Sequence, residues 1–293
     1  MKLIDAFLFF NELDLLEIRL HEMAPIVNHF VIVESLERFG SNKPKRPVLL
    51  DNWQRVKEFE QKIRYVLLEK LEPAFTDRNS AWEREYYSRN ALLPPVLDLA
   101  GPDDAIIISD CDEIPRASAV QAALAALPKG IHRLNQSMYD FNVNQLIYGS
   151  DKAPHCWDKA IIGTVRQVQE IGGPQKARFV FRHDAKTWYT KTHTVPNAGW
   201  HFTYFGGGVE LMREKIESCC HFSDDEERVF LHKSKKQNLQ DVVAGLAIRR
   251  ETRRLEWRET NDPTLPQYFL DNVERFRHFT DAYYRDLLKG AKQ

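Results

Sequence analysis

The first 115 residues alternate between apolar runs and amphipathic stretches. Residues 2–10 and the run HFVIVES at 29–35 are almost continuously apolar, as strands covered on both faces are. Between them Leu13, Leu16, Leu20 and Met23 recur at helical spacing within residues 12–24. A helix is expected over 51–61, a third strand at IRYVLLE (63–69), and a long helix within 80–99 that Pro94-Pro95 interrupts. A fourth strand runs from Ala105 into AIIISDCDEIP (105–115). This order predicts an α/β protein with a mostly parallel sheet covered by helices on both faces. After residue 130 two stretches, IHRLNQSMYDFNVNQLIYG and ARFVFRHDAKTWYTKTHTV, alternate like mixed or antiparallel strands, and from about 207 onward helices are expected.

Charge narrows the range of partners. Lysine plus arginine (41) nearly balances aspartate plus glutamate (42), so no global field invites nucleic acid. No run of about 18 apolar residues is present, so no membrane-spanning helix is expected. The four cysteines include the adjacent pair Cys219-Cys220 and no C-x-x-C spacing, which fits a reducing compartment better than a disulfide framework.

The chemistry concentrates where the fourth strand ends. In open parallel sheets ligands bind beyond the carboxyl ends of the strands. Asn11, Glu34 and Asp110 all stand near such ends. Asp110, Asp112 and Glu113 place three carboxylates within four residues, which repel one another unless a cation neutralises them. Oxygen-only ligands suit Mg²⁺ or Mn²⁺ carrying a phosphate-bearing substrate. Two other readings compete: solvated acids capping the next helix, and a metal-dependent phosphoryl-transfer site with D-x-D-x-[TV]. The latter has Ile114 at its fifth position and would come on a first strand, not a fourth.

DAFLFFNELDLLEIRLHEM, FVIVES, GSNKPK, DDAIIISDCDEIPR, GWHFTYFGG and KIESCCH, in this order, resemble glycosyltransferase family 17, which includes the β-1,4-mannosyl-glycoprotein 4-β-N-acetylglucosaminyltransferases. The resemblance covers about residues 3–235. It implies a GT-A-type, Rossmann-like sheet, a UDP-sugar donor such as UDP-N-acetylglucosamine, a divalent metal at the D-x-D, a glycan or lipid-linked glycan acceptor, and inversion at the anomeric carbon. Residues 1–235 would then form the catalytic domain, 1–115 its nucleotide-sugar half and 116–235 its acceptor half. Residues 236–293 would be a helical extension packed on it through Phe269, Val273, Phe276, Phe279 and Tyr283. Animal members carry an N-terminal membrane anchor; none is seen here, and a cytoplasmic enzyme, at most peripheral to the inner membrane, is expected. A catalytically inactive carbohydrate-binding relative is the alternative from another class, and the retained acids weigh against it.

Within this frame Asp110 and Asp112 are the expected metal and donor ligands, with the downstream His221 completing the metal shell. The general base is left between Glu113 and Glu210. Asn11 and Glu34 are expected to frame the nucleoside, Arg89 to hold diphosphate, and Trp200-His201 to meet sugar. Lys43, Lys45, Arg46 and Arg84 are weaker diphosphate candidates. The basic segment 248–260 (IRRETRRLEWRET) reads as a helix face laced with ion pairs or as a peripheral contact with anionic lipid.

Overall fold

The computed structural model describes residues 1–127, 130–148, 154–183, 193–205, 208–220, 225–245 and 254–290. The first half holds β1 (Leu3–Leu8), α1 (Leu13–Met23), β2 (His29–Ser35), the hairpin β3 (Glu37–Arg38) and β4 (Ser41–Pro44), α2 (Val48–Asp51), β5 (Ile63–Leu68), α3 (Arg78–Asn90), α4 (Leu93–Leu99) and β6 (Ala105–Asp110). Next come β7 (Glu113–Pro115), α5 (Ala117–Leu124), β8 (His132–Leu134), β9 (Gln136–Asp140), β10 (Gln145–Tyr148), β11 (Cys156–Trp157), β12 (Ile161–Thr164), α6 (Val165–Glu170) and α7 (Pro174–His183). The remainder is β13 (His193–Val195), β14 (Gly199–Thr203), α8 (Val209–Ser218), α9 (Asp225–His232), α10 (Lys235–Val243), β15 (Arg254–Trp257), α11 (Gln267–Asp271) and α12 (Asp281–Gly290).

The expected mostly parallel sheet is present, with strand order β5-β2-β1-β6-β12-β8-β13. All its pairs are parallel except those of β12, which runs against both β6 and β8. Strand alternation divides the core in two. Leu3 and Phe7 of β1 face Leu16, Leu20 and Met23 of α1 on one side, while Ile4 and Ala6 pack with Val96 of α4 and Val165 and Val168 of α6 on the other.

Asp5 shares the α1 face with Leu3 and Phe7, a costly place for a carboxylate. Arg19 of α1 meets it with a fully buried two-point ion pair, Nε to Oδ2 at 2.9 Å and Nη2 to Oδ1 at 2.6 Å. The same guanidinium donates to Ser109 Oγ (2.6 Å), Asp110 O (2.7 Å) and Glu113 O (3.0 Å), and sits 4.0 Å over the Phe7 ring. One side chain thus ties β1 and α1 to the turn between β6 and β7.

A second sheet, in the order β15-β10-β9-β14-β7 with β11 added to β9, stands beyond that turn. Its Ile114, Tyr139, Trp200 and Phe202 bury against Leu15 and Ile18 of α1 and against Phe269, Phe276 and Phe279 from the C-terminal region. β7 and β14 approach closely at Gly199, whose φ is +142° and where a Cβ would lie 2.1 Å from Ile114 O, so only glycine fits.

Several expectations change. The helix over 80–99 is two helices, with Pro94 and Pro95 in the first turn of α4, where their missing N–H groups are not needed. Within 51–61, Trp53–Phe59 winds as 3₁₀ turns. The stretch ARFVFRH, expected as a strand, lies in α7, because Ala177 packs under the main sheet and Arg178 turns inward on a helical spacing. The C-terminal region is not wholly helical: residues 254–257 form β15, paired with β10, so that part of the basic segment is a strand. Residues 248–253 lie outside the described residues. Among the described residues no helix is long and apolar enough to cross a membrane.

Replacing Arg19 with Met leaves Asp5 buried and unpaired, and about 3–5 kcal/mol of stability is expected to be lost, read as a lower denaturant midpoint; adding Asp5→Leu should recover part of it. A second prediction concerns Asp14 of α1, which hydrogen-bonds His278 Nε2 at 2.7 Å and pairs with Arg55. Burial alone would raise its carboxyl, but these two partners outweigh burial and hold it at about 2. Its stabilisation is complete above the unfolded value near 4 and is lost as pH falls through about 2. With its side chain 30% exposed, Asp14→Asn should remove about 1 kcal/mol at neutral pH and flatten this leg of the acid-unfolding curve.

Candidate active site

Beyond the carboxyl ends of β1, β2 and β6, and against the inner face of the second sheet, lies a cavity of about 800 Å³. Asp110 ends β6 in register with Leu8 of β1, Cys111-Asp112 makes the turn, and Glu113 opens β7 opposite His201 of β14. The acidic cluster therefore marks the handover from the first sheet to the second. Asp110, Asp112, Glu113, Arg89 and His201 all line the cavity.

Each acid meets a cation. Asp110 accepts from Arg89 Nη2 (3.1 Å) and Arg178 Nη2 (2.7 Å). Burial would raise its carboxyl, but the two arginines outweigh that and hold it far below the ordinary range. Glu113 is clamped by both terminal nitrogens of Arg178 (2.6 and 2.5 Å), accepts from the Trp157 indole, and takes the Asp110 backbone N–H at 2.9 Å. Lys215 of α8 bridges Asp112 Oδ2 (2.6 Å) and Glu12 Oε1 (3.0 Å). Burial pushes Glu12 up, yet Lys215 and the N–H groups of Asn11 and Phe10 bring it below its usual value. Asp112 goes the other way: burial, with the charges of Glu12 and Glu113, outweighs Lys215 and His201 and raises its carboxyl. Burial also lowers the His201 imidazole, so this ring is neutral at pH 7. Its Nε2 lies 3.8 Å from Asp112 Oδ1, and its buried Nδ1 has no hydrogen-bond partner.

Whether these groups suit a divalent cation can be judged from charge and from stereochemistry. Among the described residues the cavity wall carries eight carboxylate side chains, with Glu37, Glu83 and Asp140 beside those of Glu12, Glu85 and the acidic turn, against four cations, Arg89, Lys159, Arg178 and Lys215, so acids outnumber cations. A divalent ion would offset part of that excess; the Asp112 carboxyl is raised first by its burial and then by the charges of Glu12 and Glu113. Among the described residues no three His, Cys, Asp or Glu side chains already converge on one point. The lysine and arginines occupy carboxylate oxygens that an ion would take. In charge and in oxygen chemistry the wall suits a divalent ion, for which Asp110 and Asp112 could supply oxygen ligands with His201 beside them.

Strand parity removes two of the expected site residues. Val33 and Ser35 line the cavity, so Glu34 between them points to the opposite face. There it is fully buried, paired with Lys45 and accepting from Tyr65 Oη (2.8 Å), Val48 N (2.7 Å) and Leu49 N (3.1 Å), so it pins the loop after β2 and does not meet a nucleoside. Trp200 likewise faces away from its neighbour His201, into the core, with Nε1 donating to Thr264 O at 2.8 Å and Arg116 lying 4.2 Å over its ring. Glu210, in the first turn of α8, is exposed, pairs with Lys235 and is not part of the cavity wall, which removes it as a base. Glu113 is on the wall, but its two oxygens are committed to Arg178 and Trp157, so it positions these groups. Asn11 is not part of the cavity wall; its side-chain amide donates to Glu214 Oε2 at 3.5 Å. Arg84 is bound to Glu37 at 2.9 Å and Arg46 to Asp51 at 2.8 Å, neither on the cavity wall. His221 lies outside the described residues.

Arg178, Lys215, Glu12 and Trp157 belong to the site without having been singled out in the sequence. Lys215 lies in the KIESCC stretch that carries part of the family likeness, a signal that could have found it. Arg178 had none, since its segment reads as a strand.

Comparison with known proteins bears on what this cavity does. The family described as Glycosyltransferase family 17 matches residues 1–162. The β-1,4-mannosyl-glycoprotein 4-β-N-acetylglucosaminyltransferases of Rattus norvegicus and Homo sapiens are each 32% identical over 125 residues, 41% of this chain. Those matches span only 22% and 23% of the lengths of the two proteins. Among solved structures, a protein described as a nucleotide-diphospho-sugar transferase from Desulfovibrio desulfuricans is 11% identical, with 84% of this chain and 97% of that one covered and a TM-score of 0.37. A protein described as a glucose-1-phosphate thymidylyltransferase from Bacillus anthracis is also 11% identical, with 66% and 85% covered and a TM-score of 0.39. The family match takes in more than half of the chain, including the whole acidic turn, and the chain belongs to glycosyltransferase family 17.

Proposed function

We propose that this glycosyltransferase moves N-acetylglucosamine, or a related hexose, from a UDP-sugar to a hydroxyl of a glycan or lipid-linked glycan, with inversion at the anomeric carbon and with Mn²⁺ or Mg²⁺ held by Asp110 and Asp112. The observation that carries the proposal is the acidic turn at Asp110–Glu113, half-buried at Asp110 and buried beyond it, set at the carboxyl end of a mostly parallel sheet inside a cavity with room for a nucleotide sugar. The sugar and a protein-linked glycan as acceptor follow the names of the mammalian relatives.

The chain's own groups divide the work. When bound, the metal supplies the positive charge that a departing diphosphate needs. Arg89 and Arg178, both buried and held in place by several hydrogen bonds, keep Asp110 ionised and add fixed positive charge next to it. Lys215 fixes the Asp112 carboxylate and adds an ammonium donor to the two guanidinium groups on the same wall. Phe10, Phe39, Trp82 and Tyr86 give the cavity aromatic faces suited to stacking on a nucleobase. Neutral His201, packed 4.7 Å from the Trp157 ring, can meet the donor or the ion without adding charge.

Calorimetric titration with UDP and UDP-N-acetylglucosamine tests this reading. Binding is expected in Mn²⁺, to be lost in EDTA, and to weaken at least tenfold in Asp112→Asn. Heat that is unchanged by EDTA and by the substitution would remove the metal from the reading, and no binding of either ligand to folded protein would remove the donor. A pH dependence follows as well. Because the Asp112 carboxyl is raised, the ion competes with a proton there, so metal-dependent binding should weaken on acidification from a pH above the ordinary aspartate range near 4.

A further inference from the structure

Inversion by one displacement needs a base on the side of the sugar away from the departing diphosphate, and neither Glu113 nor Glu210 can serve. We propose that Asp140, at the carboxyl end of β9, is that base; this rests on the glycosyl-transfer reading above.

Its place follows from sheet register. Glu113 pairs with His201, His201 with Met138, and two residues further along Thr203 pairs with Asp140. Side chains two apart share a face, so these five point the same way, and all five line the cavity. Their neighbours Ile114, Tyr139, Trp200 and Phe202 face the opposite core. At about 4.8 Å between strands and 3.4 Å per residue, Asp140 stands about 11–12 Å from Glu113 across that face. A separation of this size leaves room for a sugar ring and an acceptor hydroxyl between Asp140 and the acidic turn. Asp140 is 6% exposed, so a proton taken there is shielded from bulk water.

The backbone just beyond is strained in a matched way. Phe141 follows Asp140 with φ +61°, and Tyr204 follows Thr203 with φ +60°. Neither is glycine, and both adopt the left-handed conformation that side chains disfavour. The two are locked together: Phe141 N donates to Thr203 O at 3.0 Å, and the rings stack at 5.6 Å. Asn142 N donates to Asp140 O at 2.6 Å, closing a tight turn on the same residue. Paired distortions of this kind hold the last side chain of each strand in one orientation at the cavity wall, as positioned functional groups require.

The step balances without any further reactant. The acceptor hydroxyl passes its proton to the Asp140 carboxylate while its oxygen bonds to the anomeric carbon. The bond from that carbon to the β-phosphate oxygen breaks, and its electron pair leaves on the nucleoside diphosphate.

The test uses UDP-N-acetylglucosamine with water as acceptor, followed by release of UDP, and repeats the assay with sodium azide. Azide attacks the anomeric carbon without giving up a proton and so needs no base. Asp140→Asn is expected to bind UDP as wild type does, to lose a hundredfold or more of its hydrolysis rate, and to recover UDP release with azide, giving a β-glycosyl azide. Asp140→Glu should retain part of the hydrolysis. Hydrolysis within threefold of wild type in Asp140→Asn would overturn the assignment, as would a loss that azide does not restore while UDP still binds. A loss of UDP binding that Asp140→Glu shares would make Asp140 structural and would overturn it too. Wild-type protein that releases no UDP under any of these conditions would instead fail the glycosyl-transfer reading itself, and the base assignment with it.

Discussion

The buried contact between Arg19 and Asp5 is the constraint on which the site depends. A carboxylate on the covered face of a central strand cannot stand alone in a low dielectric, and α1 has to deliver a guanidinium to it. Once there, the same group reaches past the strand to the carbonyls of Asp110 and Glu113. Those carbonyls flank the turn that carries the acids. The packing of α1 on the sheet and the aim of the acidic turn are therefore one arrangement, and a loosened α1 would displace the acids far from its own surface.

A second level of order lies in the charges. Acids placed this close together would raise one another's proton affinity, and here cations from three helices are shared among them: Arg89 and Arg178 on Asp110, Arg178 also on Glu113, and Lys215 on Asp112. Asp110 is held ionised by its two arginines, while Asp112, raised by its burial and by the charges of Glu12 and Glu113, has a single lysine to offset them. This asymmetry sets a carboxylate held ionised beside one whose proton affinity is raised. The wall is net negative among the described residues, a balance that a bound cation would offset.

The second sheet gives the cavity its far wall. β7 continues directly from the acidic turn and pairs with β14, and β14 pairs with β9, so the wall is built on the same backbone that ends the first sheet. The C-terminal aromatic residues Phe269, Phe276 and Phe279 fill its outer face and hold it against α1. The same segment also reaches α1 through charge, with Arg275 at 2.5 Å from Glu17 and His278 at 2.7 Å from Asp14. The end of the chain thus supports the geometry of the beginning.

The sequence by itself determined the alternating strands and helices of the first 115 residues, the acidic turn at the end of the fourth strand, and the family likeness. Each of these is a local signal: continuous apolar runs, helical spacing, or an ordered motif such as SDCDEIP. It also located Asp110, Asp112, Glu113, Arg89 and His201, which the fold brings to one cavity. Tertiary structure decided which way the side chains at strand ends face, and a shift of one position sent Glu34 and Trp200 into the interior while leaving Ser35 and His201 on the wall. It decided as well that ARFVFRH winds as a helix, so that Arg178 reaches Asp110 and Glu113 over 60 residues away in the chain. Partners so distant in sequence leave no periodic trace, because what joins them is the closing of charges in a shared buried space and not any pattern along the chain.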